Sequence, residues 1–260
     1  MAIWALVTGA SEGLGREFST LAAKDGFDVI LTARQTDKLQ AHAASLRRAY
    51  NVAVEVIPAD LTDPVAVERL WDAASEGRQI GVLVNNAGLG RNGDITEDGG
   101  WPREADSIAV NIIAATILLK RAAAHMKGHG AGRILNVASV AGFLPGPHMA
   151  IYHASKAYLL SLSEAVAEEL RSTGVTVTAV CPGPTATQFF ASDGAERKTL
   201  ATRLGMPSAE SVAVAGWAAM TRGRRVKVVG AANKLLAFLP RLLPRRMMAF
   251  FVGISLKKRW

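Results

Sequence analysis

Short apolar runs alternate with longer amphipathic stretches along most of the chain. Most runs are unbroken rather than alternating, which is typical of parallel strands covered by helices on both faces. The runs predict seven strands: Ala2–Thr8, Asp28–Ala33, Ala53–Ile57, Ile80–Asn85, Gly132–Ala138, Val175–Cys181 and Val226–Val229. Helices are predicted between them near 14–25, 35–50, 64–76, 102–127, 152–173 and 208–221. This order predicts an α/β fold, a Rossmann-type doubly wound parallel sheet of about seven strands in a single domain.

Composition agrees with one such domain, since half of the 260 residues are hydrophobic. The single cysteine, Cys181, fits a reducing compartment and predicts a small buried side chain. The first strand begins almost at Met1, so no signal peptide is expected, and no uninterrupted apolar run approaches the ~18 residues of a membrane span. We therefore expect a cytoplasmic protein.

The net charge of +8 is unevenly distributed along the chain. Residues 211–260 carry eleven Lys or Arg and no Asp or Glu, whereas residues 1–210 have a net charge of −3. The basic segment therefore needs an explanation of its own.

A glycine-rich turn, Thr8-Gly9-Ala10-Ser11-Glu12-Gly13-Leu14-Gly15, separates the first strand from the first helix. Its glycines permit a tight turn and a close approach to a pyrophosphate, and the helix N-terminus behind them favours anionic charge. A purely structural turn is the alternative, but the position in the first βαβ unit favours a dinucleotide.

Tyr152 and Lys156 are four residues apart on a predicted helix and share one face. An ammonium beside the phenol favours the phenolate and lowers the tyrosine pKa from about 10 towards working pH. The pair predicts a proton donor and acceptor near neutrality. A Tyr and a Lys at this spacing also occur by chance, so the prediction depends on the other motifs.

These motifs, over residues 1 to about 230, resemble those of the short-chain dehydrogenase/reductase family. The first motif is the glycine spacing with Thr in front. Further motifs follow it in order along the chain: Asn85-Asn86-Ala87-Gly88 after the fourth strand, Asn111 in the next helix, Ser139 after the fifth strand and Pro182-Gly183 after the sixth. The resemblance implies a catalytic domain over residues 1–230, with cofactor and substrate sites combined, and a homodimer or homotetramer. Residues 231–260 would form a helical extension.

The resemblance also implies roles for four catalytic residues. Tyr152 would give a proton to the substrate oxygen as hydride arrives from a nicotinamide, and Lys156 would lower the tyrosine pKa and hold the nicotinamide ribose. Ser139 would orient the substrate oxygen, and Asn111 would hold a water that links Lys156 to solvent. Singly, each could instead be structural: Ser139 could cap a turn, for example.

The cofactor-binding residues implied by the resemblance are Gly9, Ser11, Glu12, Gly13, Leu14, Gly15, Arg34, Lys38, Asp60, Leu61, Asn86, Ala87, Gly88, Tyr152, Lys156, Pro182, Gly183, Thr185 and Thr187; no metal is implied. At the end of the second strand, where an acid would bind the 2′-hydroxyl of NAD, the sequence has Ala33 followed by Arg34. A guanidinium suits a 2′-phosphate instead, so NADP(H) is preferred and NAD(H) is possible. Lys38 would assist, whereas the Glu12 carboxylate could oppose the same phosphate. Arg34 could also be a solvated residue, and Asp60 a turn residue.

The expected substrate-binding residues combine the two hydroxyls with an apolar lining: Ser139, Phe143, Leu144, Met149, Tyr152, Phe189 and Phe190. Leu200, Leu204 and Met206 belong to the same apolar segment. Such a lining suits a hydrophobic ketone, aldehyde or alcohol. Ordinary loop packing accounts for part of this set, and the substrate stays open.

The C-terminal segment departs from the family, since many compact members end soon after the seventh strand. Pro240 and Pro244 limit it to two short helices at most. An apolar face with charged flanks is predicted, formed by Met247, Phe250, Phe251 and Ile254, with Arg245, Arg246, Lys257, Lys258 and Arg259 beside it. Three alternatives are a membrane interface at the inner surface, packing on the pocket or a dimer partner, and nucleic acid. The apolar content argues against nucleic acid.

Two function classes remain. The first is an NADPH-dependent reductase of a ketone or aldehyde, with alcohol oxidation as the reverse direction. The second is a nucleotide-sensing or interaction protein that kept the fold but lost turnover. The complete set of Asn111, Ser139, Tyr152 and Lys156 favours the enzyme. Isomerisation or dehydration is less favoured, because a large separate substrate domain is lacking.

Overall fold

One sheet of seven parallel strands forms the centre of the computed structural model, which describes residues 2–185 and 207–256. The strands are β1 (Ile3–Thr8), β2 (Asp28–Thr32), β3 (Val54–Val56), β4 (Gln79–Asn85), β5 (Gly132–Val137), β6 (Val175–Cys181) and β7 (Val226–Val228). Their order across the sheet is β3-β2-β1-β4-β5-β6-β7. All seven predicted strands are present, and the parallel sheet is confirmed.

Helices cover both faces of the sheet, as the unbroken apolar strands predict. They are α1 (Gly13–Lys24), α2 (Thr36–Tyr50), α3 (Pro64–Ser75), α4 (Trp101–Ile108), α5 (Ala115–Gly128), α6 (Ala150–Glu169), α7 (Ala209–Thr221), α8 (Ala231–Phe238) and α9 (Arg245–Leu256). One core includes Val7 of β1 and lies on the side of α1, α2 and α7. The other includes Leu6 and lies on the side of α3, α5 and α6. Successive residues of β1 therefore point to opposite faces.

The predicted helix over 102–127 contains an irregularity that periodicity did not reveal. A π-helical turn, Ala109–Ala114, separates α4 from α5 and carries Asn111. Taken together, α4, the π-helical turn and α5 run from Trp101 to Gly128. Among residues 2–185 and 207–256, this is the one helix that is long and apolar enough to cross a membrane. No apolar run of that length was expected from the sequence. This helix packs on β4 and β5 and buries Leu118 and Met126, as the core helix of a globular domain does.

The order of the strands creates a crevice at the carboxyl edge of the sheet. After β3 the chain crosses to the other side of β1, so the connections that follow β1 and β4 leave in opposite directions. Doubly wound sheets bind ligands at such a switch point. The glycine-rich turn follows β1, and Asn86 follows β4 on the same edge.

The C-terminal segment forms two short helices, α8 and α9, as predicted from its prolines. A 3₁₀ turn, Leu239–Arg241, separates them. A Cβ atom at Gly183 would lie 2.4 Å from Oδ1 of Asn233, so α8 lies directly on the segment after β6. A Cβ atom at Gly253 would lie 3.3 Å from Pro147, so α9 touches the loop before α6.

Candidate active site

The ends of β1 and β4 are joined by hydrogen bonds from Thr8 and Asn86. The Thr8 hydroxyl accepts from the backbone N–H groups of Asn86 and Ala87, both at 3.0 Å. The Asn86 side-chain amide donates to the carbonyls of Thr8 at 2.9 Å and Gly9 at 3.3 Å. Asn86, expected at the cofactor, therefore also holds the glycine-rich turn in place. Thr8 was not among the expected site residues. Its position directly before the first glycine of the turn is the sequence feature that could have indicated this role.

The glycine-rich turn has no room for side chains at two of its positions. A Cβ atom at Gly15 would lie 2.2 Å from the Gly9 carbonyl oxygen, and Gly9 has φ of 65°. Gly13 opens α1 with φ of 56°, and the N-cap residue Glu12 makes no side-chain capping hydrogen bond. Backbone N–H groups of the first helical turn thus remain available to an anionic ligand. The turn fits the pyrophosphate of a dinucleotide.

Charged groups border the end of β2, where the adenosine ribose of a dinucleotide is expected. Lys38 and Glu12 form an ion pair at 3.0 Å, and both side chains are about half exposed. Arg34 is exposed at the end of β2. Hydrogen bonds from Thr62 lower the pKa of the Asp60 carboxyl, and the nearby charge of Arg34 lowers it further. Lys38 is therefore partly neutralised by Glu12, which leaves Arg34 as the more available cation. Leu61, beside Asp60, is buried.

Ser139, Tyr152 and Lys156 meet at the carboxyl end of β5. Helix α6 begins at Ala150, so Tyr152 and Lys156 lie on its first two turns. The Ser139 side chain lies close enough to the Tyr152 phenol to act on its acidity. The Lys156 Nζ atom lies 5.8 Å from the centre of the Tyr152 ring and donates to the Val137 carbonyl at 2.8 Å. The structure therefore brings three of the four expected catalytic side chains together.

Burial changes the acidity of both groups on α6. It raises the pKa of Tyr152 to about 12, against a smaller lowering by the Ser139 hydrogen bond. It lowers the pKa of Lys156 to about 8. The net shift of the Tyr152 pKa is therefore upward in these protein groups, because desolvation outweighs the effect of Ser139, and the lowering expected from Lys156 stays a prediction. At neutral pH the Tyr152 hydroxyl carries its proton, which is the state that a proton donor needs.

Asn111 lies buried in the π-helical turn and connects two neighbouring segments. Its Oδ1 accepts from the Leu89 N–H at 2.8 Å, and its Nδ2 donates to the Leu89 carbonyl at 2.8 Å and to Ser155 Oγ at 3.0 Å. A Cβ atom at Gly88 would lie 3.3 Å from both Asn111 Oδ1 and Lys156 Nζ, so Asn111 and Lys156 both border Gly88. Both N–H groups of the side chain are used by the protein, so the expected water is not held by them.

The segment between Ser139 and α6 carries three of the residues expected to bind the substrate, Phe143, Leu144 and Met149. Leu144 and Met149 are buried, whereas Phe143 packs partly buried against the cluster that contains Cys181. His153 lies next to Tyr152 but turns to the Leu144 carbonyl, with Nδ1 at 2.9 Å, and this contact holds the segment. The burial expected for Cys181 is confirmed.

The segment after β6 is bonded to the end of β5 through Pro182. The Pro182 carbonyl accepts from the Val140 N–H at 3.0 Å and from the Ser139 hydroxyl at 3.4 Å. Thr185 is buried and donates from its hydroxyl to the Gly183 carbonyl at 3.0 Å. The other expected residues of this segment lie outside the described residues: Thr187, Phe189, Phe190, Leu200, Leu204 and Met206.

Asn92 is a buried polar residue that sequence reasoning missed. Its side chain is 8% exposed, and neither Nδ2 nor Oδ1 has a hydrogen-bonding partner among residues 2–185 and 207–256. The next residue, Gly93, donates its N–H to the His148 carbonyl at 2.8 Å, so Asn92 lies where the loop after β4 meets the loop before α6. A buried amide without partners costs about 1–3 kcal/mol. A single Asn in a loop gave no signal in the sequence.

Comparison with known proteins identifies the class. Residues 3–198 match the family model for short-chain dehydrogenases. The chain is 33% identical over 190 residues to a 7beta-hydroxysteroid dehydrogenase of Collinsella aerofaciens, covering 73% of this chain and 72% of that protein. It is 33% identical over 183 residues to human 17-beta-hydroxysteroid dehydrogenase type 3, covering 70% of this chain and 59% of that protein.

Solved structures agree. A short-chain dehydrogenase from Sphingobium yanoikuyae in complex with NADPH has a TM-score of 0.82 and 32% identity, and the match covers 93% of each chain. A short-chain dehydrogenase/reductase from Burkholderia phymatum in complex with NAD has a TM-score of 0.82 and 28% identity, over 92% of this chain and 93% of that chain. The chain therefore belongs to the short-chain dehydrogenase/reductase family. It is an NAD(P)-dependent oxidoreductase of that family, as the motifs predicted.

Proposed function

We propose that this protein reduces a bulky, largely apolar ketone or aldehyde with NADPH and uses Tyr152 as the proton donor. The observation that carries the proposal is that Ser139, at the end of β5, and Tyr152, on α6, lie together, with the Lys156 ammonium 5.8 Å from the centre of the Tyr152 ring. Two hydroxyl donors that converge on one carbonyl oxygen stabilise the negative charge that develops there.

The nicotinamide, when bound, supplies the hydride. As hydride adds to the carbonyl carbon, the π electrons move to the oxygen, and that oxygen takes the proton of Tyr152. Ser139 holds the same oxygen by a hydrogen bond. The Lys156 ammonium stabilises the phenolate that results, and a proton from solvent restores the Tyr152 hydroxyl. The carbonyl compound thus gains one hydride and one proton and becomes the alcohol, so the charge balances.

The protein groups also support a preference for NADPH. Arg34 is exposed at the end of β2, where the 2′-phosphate would lie, and no carboxylate is an ion-pair partner of it among the described residues. The Sphingobium yanoikuyae relative was solved with NADPH, and the Burkholderia phymatum relative with NAD. Glu12 lies close to the same region through its pair with Lys38, so NADH remains a weaker alternative.

The substrate is proposed to carry a polar group away from the reacting carbonyl. Leu144 and Met149 give the loop before α6 an apolar character, and Asn92 offers a buried amide without partners. Two of the relatives are hydroxysteroid dehydrogenases, whose names indicate rigid, mostly apolar substrates with isolated oxygen functions. A multi-ring ketone would use both features.

The experiment is to follow NADPH oxidation by absorbance with a panel of steroid ketones, long-chain 3-oxoacyl thioesters, aliphatic aldehydes and diketones, with NADH in parallel. Turnover is expected with at least one multi-ring ketone, faster with NADPH. Tight NADPH binding without turnover of any carbonyl, in either direction, would favour the nucleotide-sensing alternative. Faster turnover with NADH would contradict the cofactor preference alone.

A further inference from the structure

Helix α9 is apolar on two opposite faces. Its inner face includes Met248, which is 3% exposed, and Gly253, which lies against Pro147. Its outer face consists of four large apolar side chains that are 43–64% exposed: Met247, Phe250, Phe251 and Ile254. A surface helix of a globular protein normally presents polar residues on the side away from the core. The apolar face predicted from the sequence therefore points outward instead of into the protein.

The same apolar surface continues on α8 and the turn after it. Leu235, Phe238 and Leu242 are 47–68% exposed. An apolar groove runs between the two helices, so they lie side by side; its lining includes Leu236, Leu239, Met248 and Phe251. We call the seven exposed side chains the tail surface: Leu235, Phe238, Leu242, Met247, Phe250, Phe251 and Ile254. Contiguous exposed apolar surface of this kind marks an interaction site.

Cations, and no carboxylates, accompany the tail surface. Lys234, Arg241, Arg245 and Arg246 are exposed beside it. None of the four has a carboxylate within ion-pair distance in the part of the chain that the structure describes. The sequence contains no Asp or Glu anywhere in residues 211–260. Exposed apolar groups with unpaired cations at their border match the two layers of an anionic lipid interface, the acyl boundary and the charged headgroups.

A second copy of the chain fits the tail surface less well. A two-fold contact places the same patch of both subunits face to face, which would bring the basic residues of one copy towards those of the other. Since residues 211–260 contain no Asp or Glu, this segment of the second copy would offer those charges no partner. A bilayer that contains anionic lipid offers both the apolar depth and the opposite charge.

We propose that the tail surface binds the interface of an anionic lipid bilayer and so holds the protein peripherally on a membrane. Because α9 touches Pro147 in the loop before α6, the bound bilayer would lie beside the segment that carries these expected substrate-binding residues. Membrane binding does not depend on the proposed reaction, since it involves neither Tyr152 nor the cofactor residues.

The test is co-sedimentation of the full-length protein with vesicles of phosphatidylcholine alone and of phosphatidylcholine mixed with phosphatidylserine. The protein is expected to pellet with the mixed vesicles and to be released by added salt. The double variants F250S/F251S and R245E/R246E should each lower the affinity for the mixed vesicles by roughly tenfold or more. All four positions are exposed, so both variants should fold, and NADPH binding checks that they do.

Matched controls change comparable groups elsewhere. Trp101→Ser removes an aromatic side chain that is 65% exposed, and Lys120→Glu reverses an exposed charge on α5. Both controls should bind vesicles like the unmodified protein. The proposal is overturned if the full-length protein stays in solution with both kinds of vesicle, or if the controls reduce binding as much as the tail variants do. It is also overturned if F250S/F251S instead splits a stable dimer in sedimentation velocity while vesicle binding is absent.

Discussion

The Lys156 ammonium donates a 2.8 Å hydrogen bond to the carbonyl of Val137, the last residue of β5. This contact ties the second turn of α6 to the strand from which Ser139 follows two residues later. Because Tyr152 lies one turn earlier on the same helix, the bond fixes the distance between the two hydroxyls that would hold a carbonyl oxygen. The sheet, rather than a mobile loop, thus sets the geometry of the proposed proton donor.

Tyr152→Phe removes the proposed proton while keeping the ring. The rate of carbonyl reduction should fall by roughly 10²–10⁴-fold, with NADPH affinity nearly unchanged. Steady-state kinetics and NADPH fluorescence measure the two effects. Tyr158→Phe is the matched control, since its hydroxyl bonds Thr116 at 2.9 Å at an exposed position on the same helix. If the Tyr152 variant keeps more than about a tenth of the rate, the assigned role is wrong.

Gly88→Ala places a methyl group 3.3 Å from Asn111 Oδ1 and Lys156 Nζ. Neither neighbour moves easily, because Lys156 is bonded to Val137, and Asn111 to Leu89 and Ser155. A displacement of a few tenths of an ångström should lower kcat roughly three- to tenfold with little loss of thermal stability. Gly128→Ala, with no atom near its new Cβ, should leave kcat unchanged. Equal kcat values for the two variants would show that the lack of a side chain at Gly88 is not needed for the position of Asn111 and Lys156.

Asn92→Leu tests the buried amide without partners. Removing two unpaired polar atoms should leave the free energy of unfolding unchanged or raise it by about 1 kcal/mol, because the desolvation cost disappears. KM for the substrate should rise at the same time. Asn111→Leu provides the contrast, since it leaves the Leu89 N–H and carbonyl unpaired and should cost about 2 kcal/mol or more in urea unfolding. A destabilised Asn92→Leu with unchanged KM would assign Asn92 a structural role.

Arg34→Asp should exchange the cofactor preference. A carboxylate repels a 2′-phosphate and can bind a 2′-hydroxyl, so KM for NADPH should rise roughly tenfold or more while KM for NADH falls. Lys38→Ala should have a smaller effect, because Glu12 already pairs with Lys38. Arg48→Asp, exposed in the last turn of α2, controls for the change in net charge. An unchanged ratio of the two KM values in Arg34→Asp would place the phosphate elsewhere.

His42 makes stability depend on pH. It is buried in α2 with Nε2 2.8 Å from the Ser19 hydroxyl of α1, and burial lowers its pKa to about 4, with a further contribution from Arg16. Between about pH 6.5 and 4 the unfolded chain binds a proton that the folded chain does not, so the free energy of unfolding falls as pH falls through this range. His42→Gln should remove that part of the decrease. Urea titrations at pH 7 and pH 5 measure it, and equal decreases in both proteins would contradict the prediction.

The fold was predictable because parallel strands buried on both faces are unbroken apolar runs. The site motifs were also visible, since the glycine-rich turn and the Tyr152–Lys156 spacing are local in sequence. The π-helical turn at Ala109–Ala114 could not be predicted, because one extra residue in a helical turn scarcely changes the apolar pattern of the sequence.

Properties that depend on distant burial were out of reach as well. The raised pKa of Tyr152 follows from desolvation by segments that are far apart in sequence. The pairing of Lys38 with Glu12 joins α2 to the glycine-rich turn, 26 positions earlier in the sequence. Asn92 drew attention only because no described residue bonds its buried amide, and a sequence cannot show that.

The place of β4 between β1 and β5 has a consequence for the nascent chain. The ribosome delivers β1, β2 and β3 first, and they can pair at once. β1 then keeps an unpaired apolar edge until residues 79–85 are made, which is the situation in which strand edges aggregate. The Thr8–Asn86 hydrogen bonds form only when β4 has docked, so a truncated chain without β4 would lack the bonds that hold the dinucleotide turn in place. Cofactor binding would therefore report that this late insertion is complete.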